Sequence, residues 1–253
     1  MRKLNVAGGE PFLYPIFLEE MIRYAKRDLQ LESVSIISNG SKIREKFVRD
    51  NSAFIDILAI SCDSAVAETN IGIGRGTTGE NVERLRRIAG WCREYGIMFK
   101  INTVVNSLNW NEDMTGFIAE LQPFRWKAFQ CLIVTGENDN EKRKRDARNF
   151  LVTEEQWKVF CDRHKHLECF VPESNKAMKG SYLLLDEYMR FLDKGDGVET
   201  ASESILDVGV KKAMRQVVWE RDQFIERGGL YDWTKPSVGV CGEMGEKGKG
   251  LEW

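Results

Sequence analysis

Near its amino terminus the sequence reads Leu4-Asn5-Val6-Ala7-Gly8-Gly9-Glu10-Pro11, a short apolar segment followed by two glycines, an acid and a proline. Glycine permits sharp backbone turns and lets a ligand approach the backbone amides closely. Proline fixes its own φ angle and favours the end of a strand. The stretch therefore predicts a tight turn at the carboxyl end of a strand, where α/β sheets and barrels bind their ligands. An ordinary strand-to-helix turn is the alternative.

Beyond this turn, short apolar segments alternate with amphipathic helical patterns. The predicted strands lie at 4–7, 34–37, 55–61, 98–105 and 126–134. The predicted helices lie at 15–29, 42–49, 79–95 and 111–121. Apolar runs bounded by turns are typical of a buried parallel sheet, and alternating strands and helices predict right-handed βαβ units. We therefore expect an α/β fold with at least five βα steps, arranged as a partial (β/α) barrel.

The composition is that of an ordinary water-soluble domain, with 42% apolar and 30% charged residues and a net charge of −2. The charge argues against a general nucleic-acid binder, which would carry a basic face. No apolar run is long enough to span a bilayer, and no signal-peptide pattern is present. No two of the six cysteines form C-x-x-C, which argues against a zinc knuckle or a dithiol redox motif. Reduced cysteines in a cytoplasmic protein are the simplest expectation.

Two pairs of polar residues predict an anion-binding site. Lys100 and Asn102 are two apart on one predicted strand, and Arg125 and Lys127 are two apart on the next, so each pair points to one side of its strand. If both pairs face the barrel interior, three cations and an amide converge on one anion, an arrangement suited to a triphosphate. The alternative is that these residues face solvent as ordinary strand-edge charges.

Small polar residues end the next two predicted strands, at Ser38-Asn39 and at Ser61. Together with the glycine turn they would line one rim and could hold a ligand with hydroxyl and amine groups. For Ser38, capping of the following helix is an equally good interpretation. The segment Gly74-Arg75-Gly76-Thr77-Thr78-Gly79 fits G-x-G-x-x-G, but it does not directly follow a strand and no acid ends the next strand, so we do not expect dinucleotide binding.

The second half of the chain loses the regular alternation. The charged segment 136–148 predicts a solvated loop, and Thr153 with Gln156 predicts a capping box at the start of a helix. His164 and His166, near the end of that helix, have no acid or cysteine at ligand spacing and are expected at the surface. Residues 182–185 predict one more strand, and the Gly- and Lys-rich segment 239–250 predicts a mobile tail.

Several of these stretches resemble the viperin-like branch of the radical S-adenosylmethionine (SAM) enzymes. The glycine turn is similar to the turn that holds the methionine amino group of SAM in that superfamily. The similar blocks lie at 8–11, 35–41, 56–64, 125–131, 171–175, 185–192 and 204–210. Because the blocks follow one another along nearly the whole chain, the resemblance implies a radical SAM barrel over 1–150, without its first strand and helix, and an extension over 151–253 that covers the barrel mouth.

The resemblance also implies an activity and the residues that carry it. It implies conversion of a ribonucleoside triphosphate, CTP or UTP, to its 3′-deoxy-3′,4′-didehydro analogue in antiviral defence. It assigns Tyr182 to the active site, beside the ribose. It assigns the cations and the amide described above to the triphosphate: Lys100, Asn102, Arg125 and Lys127. The residues assigned to SAM are Gly8, Gly9, Glu10, Pro11, Ser38, Asn39, Ser61 and Arg75.

The cysteine pattern departs from the family. Radical SAM chemistry uses a [4Fe–4S] cluster held by C-x-x-x-C-x-x-C, which in the family precedes the glycine turn and is not found in this sequence. We therefore expect this chain by itself not to reduce SAM, with no metal ligands of its own and a monomeric state. The alternative function is a catalytically inactive nucleotide-binding or interaction protein. Animal members of the family attach to membranes through a helix that precedes the matching region.

Overall fold

The computed structural model describes residues 2–76, 78–133, 146–175, 178, 181–186, 188–192, 201–226 and 229–235. Its main feature is a six-stranded sheet in which every strand is parallel to its neighbours and the spatial order follows the chain. The strands are β1 (Lys3–Val6), β2 (Ser33–Ser38), β3 (Ile57–Ser61), β4 (Met98–Val105), β5 (Arg125–Gln130) and β6 (Phe170–Glu173). Among the described residues β1 and β6 do not pair, so the sheet is open rather than a closed barrel.

A helix or a pair of helices connects each strand to the next, as a parallel sheet requires. The helices are α1 (Pro15–Arg27), α2 (Glu45–Asn51), α3 (Ala67–Ile73), α4 (Asn81–Glu94), α5 (Thr115–Leu121) and α6 (Glu154–His164). Leu18, Ile22 and Ala25 form the buried stripe of α1, as the helical spacing predicts. The predicted capping box of α6 is confirmed, since Thr153 and Gln156 each bond the other's backbone.

The two faces of the sheet have opposite chemistry. On one face, alternate strand residues join the helices in a single hydrophobic core, among them Ile36, Leu58, Ile101 and Trp126. The residues between them point to the other face and include Ser35 of β2, Lys100 of β4 and Lys127 of β5, all of them buried. Because side chains alternate along a strand, this arrangement places a row of buried polar groups on the face that the helices do not cover.

Side chains from two distant strands reach the same aromatic ring, which indicates that the sheet is curved. In a flat sheet β1 and β5 would lie about 19 Å apart, four strand spacings. Yet the Lys3 ammonium of β1 and the Arg125 guanidinium of β5 lie 5.0 Å and 4.2 Å from the centre of one ring, that of Tyr231. The curvature turns the polar face inward and confirms the predicted α/β, partial-barrel arrangement.

A small antiparallel sheet follows the parallel one. Its strands are β7 (Leu184–Leu185), β8 (Arg190–Leu192) and β9 (Ala201–Ser204), with β8 in the middle. The short helices α7 (Ile205–Val208), α8 (Val210–Met214) and α9 (Arg221–Glu226) follow it. The domain boundary at 150/151 stays a prediction, although β6 extends the large sheet to residue 173.

Two features differ from the sequence-based predictions. The strand β6 was not predicted because Pro172 lies in its middle, and proline is tolerated there since β6 has only β5 as a neighbour among the described strands. The expectation that His164 lies at the surface is wrong, because its side chain is fully buried between Phe160, Trp126 and Phe170. Residues 134–145 of the charged segment and the predicted tail at 239–250 lie outside the described residues.

In the described ranges, every helix is too short or too polar to cross a membrane.

Candidate functional site

The glycine turn follows β1 directly, at the carboxyl edge of the sheet. Gly8 and Gly9 have φ angles of 98° and 52°, in the left-handed region that side chains disfavour. A Cβ atom built on either residue would meet no atom within 4 Å, so there is open space beside the backbone. The turn therefore requires glycine for its conformation and leaves room for a ligand to approach the amides.

Glu10 connects this turn to the end of β2. Its carboxylate accepts hydrogen bonds from the Ser38 hydroxyl (2.7 Å), the Asn39 backbone N–H (2.8 Å) and the Phe12 backbone N–H (3.2 Å). The Ser38 hydroxyl also accepts a hydrogen bond from the Gly40 N–H at 2.9 Å. Glu10, Ser38 and Asn39 are thus brought together as predicted, and they form a network that fixes the shape of the turn. Pro11 begins the 3₁₀ turn that follows.

Ser61 and Arg75 lie at the same carboxyl edge, beyond β3. Ser61 ends β3 and is half-buried. The Arg75 guanidinium donates to both carboxylate oxygens of Asp63, at 2.6 Å and 3.2 Å, and Asp63 also accepts from the Val104 N–H at 2.8 Å. Burial alone would lower the pKa of Arg75, but the charge and hydrogen bonds of Asp63 raise it above its ordinary value. The ion pair therefore fixes a charged Arg75 beside the ends of β3 and β4.

The predicted anion-binding residues meet on the polar face of the sheet. Lys100 pairs in register with Arg125, and Asn102 pairs with Lys127 on one side and with Ser61 on the other. Lys100, Asn102 and Lys127 are each at most 9% exposed. The row Ser61–Asn102–Lys127 thus connects the carboxyl edge with the cations deeper in the sheet.

Lys3 of β1 belongs to the same group of cations, which we call the cation cluster: Lys3, Lys100, Arg125 and Lys127. Burial, followed by the charges of Lys127 and Arg125, lowers the pKa of Lys3 to about 8. Burial, followed by the charges of Lys127 and Lys3, lowers the pKa of Lys100 well below its ordinary value. Like charges that are buried together are costly without an anion, and such perturbed groups concentrate at functional sites.

A buried carboxylate lies at one side of the cation cluster. Glu173, at the end of β6, is fully buried and accepts a hydrogen bond from the Lys127 ammonium with one oxygen. Its other oxygen accepts from the Tyr182 hydroxyl, which lies 3.5 Å from the Lys127 nitrogen. The predicted active-site tyrosine is therefore in contact with the predicted phosphate-binding lysine.

Residues 229–235 lie at the opposite end of the cation cluster. Tyr231 stacks on Arg125, and its hydroxyl accepts from the Lys3 ammonium at 3.2 Å. The Lys3 ammonium also lies 4.8 Å from the Trp233 ring, and the Ser33 hydroxyl donates to the Trp233 carbonyl at 2.8 Å. Lys3, Ser33 and Arg125 begin their strands, so this segment lies across the amino ends of β1, β2 and β5.

One buried acceptor on the polar face has no partner among the described residues. The side-chain oxygen Oδ1 of Asn102 is enclosed and makes no hydrogen bond there. Buried polar atoms are nearly always paired, so an unpaired one requires an explanation such as a ligand. Asn102 lies between Lys127 and Ser61, to which the family resemblance gives nucleotide and SAM as the expected ligands.

Sequence reasoning missed Lys3, Glu173 and Tyr231 as members of this site. For Lys3 a signal was present, because Lys3 and Asn5 show the same two-residue spacing as Lys100 and Asn102. Glu173 follows a proline in a strand that the pattern did not predict. Tyr231 comes from a segment without strand or helix periodicity, so only the tertiary structure reveals its position.

The described residues do not fit an iron–sulfur cluster. They contain no group of three or more His, Cys, Asp or Glu side chains that could hold a metal ion. Cys62, Cys92 and Cys131 are buried and Cys161 and Cys169 half-buried, each as a free thiol. Burial raises the pKa of Cys62 and of Cys92 to about 12, which opposes the thiolate form that iron requires.

Comparison with known proteins finds close relatives over most of the chain. It is 49% identical over 241 residues to the S-adenosylmethionine-dependent nucleotide dehydratase RSAD2 of Danio rerio, covering 94% of this chain and 67% of the relative. It is 35% identical to the S-adenosylmethionine-dependent nucleotide dehydratase of Flammeovirga pacifica, covering 92% of this chain and 78% of the relative. No protein-family model matches the chain.

Solved structures with the same fold include anSMEcpe with bound AdoMet. One such structure has a TM-score of 0.61 and 17% sequence identity, covering 94% of this chain and 70% of that chain. This likeness shows a shared fold, and the relatives of higher identity supply the family assignment. Because the chain is 49% and 35% identical to these two relatives and covers at least two thirds of each, it belongs to the family of S-adenosylmethionine-dependent nucleotide dehydratases, the viperins.

Proposed function

We propose that this chain binds a pyrimidine ribonucleoside triphosphate, CTP or UTP, together with SAM. The nucleotide would lose its 4′ hydrogen and 3′ hydroxyl and become the 3′-deoxy-3′,4′-didehydro analogue. The observation that carries the proposal is the cation cluster, in which two nearly buried lysines and two further cations converge on one face of the sheet.

The triphosphate would bind between the cations. Lys100 and Arg125 are register partners, as are Asn102 and Lys127, so two neighbouring strands present donors to one bound anion. Charge-assisted hydrogen bonds from ammonium and guanidinium groups are the strong contacts of phosphate sites. An anion in this position would raise the pKa of Lys3 and Lys100 again, because it removes the repulsion that lowers them.

SAM would bind at the carboxyl edge, where the residues present fit it. The open space beside Gly8 and Gly9 suits an amino group that bonds to backbone carbonyls, and Glu10 with Ser38 maintains that turn. Arg75, held by Asp63, supplies a cation at the same edge. The chemistry that SAM would supply is a 5′-deoxyadenosyl radical. Because the described residues do not fit an iron–sulfur cluster, we derive no step through one.

Tyr182 would lie beside the ribose. Its hydroxyl contacts Glu173 and the Lys127 ammonium, so it borders the phosphate-binding cations on the side of β6. This position supports a role for the tyrosine in orienting the sugar, and holding the ribose carbon in a fixed position favours a single reaction product.

Equilibrium binding of CTP, UTP and SAM to the chain and to Lys100→Met tests the nucleotide site. Methionine keeps the volume and removes a buried charge, so we expect nucleotide affinity to fall about 10- to 100-fold. We expect SAM affinity to be unchanged, and the free energy of unfolding to rise by about 1 kcal/mol because a poorly solvated charge is gone. Lys165→Met, at an exposed position after α6, is the control and leaves all three quantities unchanged. Equal losses for nucleotide and SAM would contradict the assignment.

A second candidate function is nucleotide binding without chemistry by this chain alone. The observation that favours it is that the described residues contain the cation cluster but no group of metal ligands. Treatment of the chain with iron and sulfide, followed by addition of SAM, CTP and a one-electron reductant such as dithionite and by assay for 5′-deoxyadenosine, separates the two functions. Product formation supports the dehydratase, whereas nucleotide binding without iron uptake supports the second candidate.

A further inference from the structure

Glu173 is a carboxylate in a site that otherwise collects positive charge. Its side chain is fully buried, and its two oxygens accept from the Lys127 ammonium and the Tyr182 hydroxyl. Among the charges that act on Lys100, Glu173 raises the pKa while Lys127, Lys3 and Arg125 lower it. The negative charge of Glu173 therefore acts on the cation cluster, and its side chain does not belong to the helix-packed core.

A phosphate that binds Lys127 must compete with this carboxylate. The Lys127 ammonium already donates to Glu173, and a phosphate brought beside Glu173 meets a like charge in a place that excludes water. A carboxylate in this position therefore weakens the binding of any polyphosphate. A site built only for phosphate would not include it.

The second hydrogen bond of Glu173 indicates which kind of ligand the carboxylate favours. It holds the hydroxyl of Tyr182, a residue from the segment that follows β6, while Lys127 comes from β5. A single side chain thus orients the group proposed to contact the ribose and the group proposed to contact phosphate. A ligand that has both parts benefits from this arrangement, whereas a ligand with phosphate alone meets only the repulsion.

We propose that Glu173 is a specificity-determining positioning residue, which makes the site select an intact nucleoside triphosphate over free polyphosphate. The inference rests on the proposed nucleotide site and adds to it a basis for rejecting inorganic anions. Glu173 acts through Lys127 and Tyr182 and takes no part in bond making or breaking.

The test is calorimetric titration of the chain and of Glu173→Gln with CTP and with inorganic tripolyphosphate at neutral pH. Glutamine keeps the shape and an acceptor for Tyr182 but removes the charge. We expect tripolyphosphate to bind Glu173→Gln about tenfold more tightly, because a like charge is removed from its site. The preference for CTP over tripolyphosphate should fall, because the triphosphate of CTP gains the same relief while the ribose loses the orientation that Glu173 gives to Tyr182. If Glu173 had a role in folding alone, Glu173→Gln would bind both CTP and tripolyphosphate more weakly, and that result would overturn the inference.

Three further variants make the test specific. Glu173→Asp keeps the charge and should keep tripolyphosphate binding weak. Tyr182→Phe should weaken CTP binding about tenfold and change tripolyphosphate binding much less, since the hydroxyl that it removes is proposed to contact the ribose and not the phosphates of the ligand. Asp186→Asn is the matched control, because Asp186 is a nearly buried carboxylate paired with Arg190 in the small sheet, and it should leave the preference unchanged.

The possible failures can be distinguished. If the unmodified chain binds neither CTP nor tripolyphosphate, the proposed nucleotide site and this inference are both wrong. If the chain binds CTP but Glu173→Gln leaves the preference unchanged, only this inference is wrong. Thermal unfolding of each variant shows whether it is folded. If Glu173→Gln is unfolded, the preference for CTP over tripolyphosphate is measured in Glu173→Asp and Tyr182→Phe, and these two variants decide the question.

Discussion

At Lys3 and Lys100 the folded protein buries positive charges in positions that destabilise them. Burial and neighbouring cations lower the pKa of both side chains, so the protein holds these lysines in surroundings that disfavour their charge. Such local destabilisation is typical of binding sites, where stability is reduced in favour of function. The pairing of Glu173 with Lys127 and Tyr182 limits this cost on one side of the cluster.

The pKa of Lys3 predicts how nucleotide binding depends on pH. Lys3 has a pKa of about 8 in the folded protein against 10.5 in the unfolded chain, so between these values the unfolded state binds more protons. The contribution of Lys3 to the free energy of unfolding therefore rises with pH across that window, and its penalty is complete below about 8. A bound triphosphate requires the proton, so nucleotide affinity should fall above pH 8, approaching about tenfold per pH unit for one proton taken up.

Titration calorimetry with CTP at a series of pH values measures this dependence. Lys3→Met should bind CTP more weakly at neutral pH and show a flatter pH profile. An affinity that stays constant from neutral pH to about 9 in the unmodified chain would contradict the placement of Lys3 in the nucleotide site.

At the scale of elements, the turn after β1 and the end of α4 allow a matched comparison of two glycines. Gly9 and Gly96 have φ angles of 52° and 65°, and neither would place a Cβ atom within 4 Å of another group. The backbone cost of alanine should therefore be similar at both positions, about 1–2 kcal/mol. Only Gly9 belongs to the predicted SAM site.

We therefore expect Gly9→Ala and Gly96→Ala to lower the free energy of unfolding equally and to differ in SAM binding. Gly9→Ala should lower the affinity for SAM about tenfold or more, because the Cβ of alanine enters the space beside the turn. Gly96→Ala should leave SAM affinity unchanged. Urea denaturation and SAM titration provide the two measurements, and equal SAM affinities would exclude a role for Gly9 in cofactor binding.

Helix α6 is attached to the sheet through His164 as well as through apolar packing. The imidazole Nδ1 lies 2.9 Å from the Phe160 carbonyl, and Nε2 accepts from the Met114 N–H at 3.0 Å. Both contacts are satisfied together by a neutral ring with its proton on Nδ1. Burial lowers the pKa of His164 below its ordinary value of 6.5, although Asp113 acts in the opposite direction.

This environment predicts a loss of stability in mild acid. Below about 6.5 the unfolded chain binds a proton that the folded His164 resists, so the free energy of unfolding falls as pH drops below that value. His164→Phe should be less stable at neutral pH by about 1–3 kcal/mol, since it leaves the Met114 N–H unpaired, and its stability should depend less on pH. Urea denaturation from neutral pH to mild acid measures both effects. His166→Gln, at an exposed position, should retain the full pH dependence of the unmodified chain.

At the scale of the whole molecule, residues from opposite ends of the sequence meet at the amino ends of the strands. Tyr231 contacts Lys3, 228 positions away, and Trp233 contacts Ser33, 200 positions away. Lys235 also donates to the Ser52 carbonyl. The segment 229–235 thus joins β1 to β5 and supports the curvature that brings the cations together.

Tyr231→Ala should loosen this connection. Loss of the two ring–cation contacts should lower the free energy of unfolding by about 1–3 kcal/mol and weaken nucleotide binding, while SAM binding at the opposite edge is retained. Limited proteolysis should cut near residue 231 sooner than in the unmodified chain. Tyr188→Ala, which removes an exposed ring stacked on Arg190, is the control and should change neither nucleotide affinity nor cleavage at this site. Unchanged nucleotide affinity in Tyr231→Ala would show that the cations do not depend on this segment.

The sequence by itself determined the order of β1 to β5 with α1, α2, α4 and α5, the parallel sheet, the glycine turn, the capping box of α6 and the common side of Lys100 and Asn102. These features depend on the two-residue and 3.6-residue periods and on the special backbones of glycine and proline, all of which are local. The tertiary structure alone decided that Lys3 joins the cations, that Glu173 connects Lys127 with Tyr182, that Tyr231 stacks on Arg125 and that His164 is buried. These contacts join residues far apart in the chain. Lys3 and Arg125 meet at Tyr231 because the sheet curves, whereas Glu173 reaches Lys127 because β6 pairs with β5.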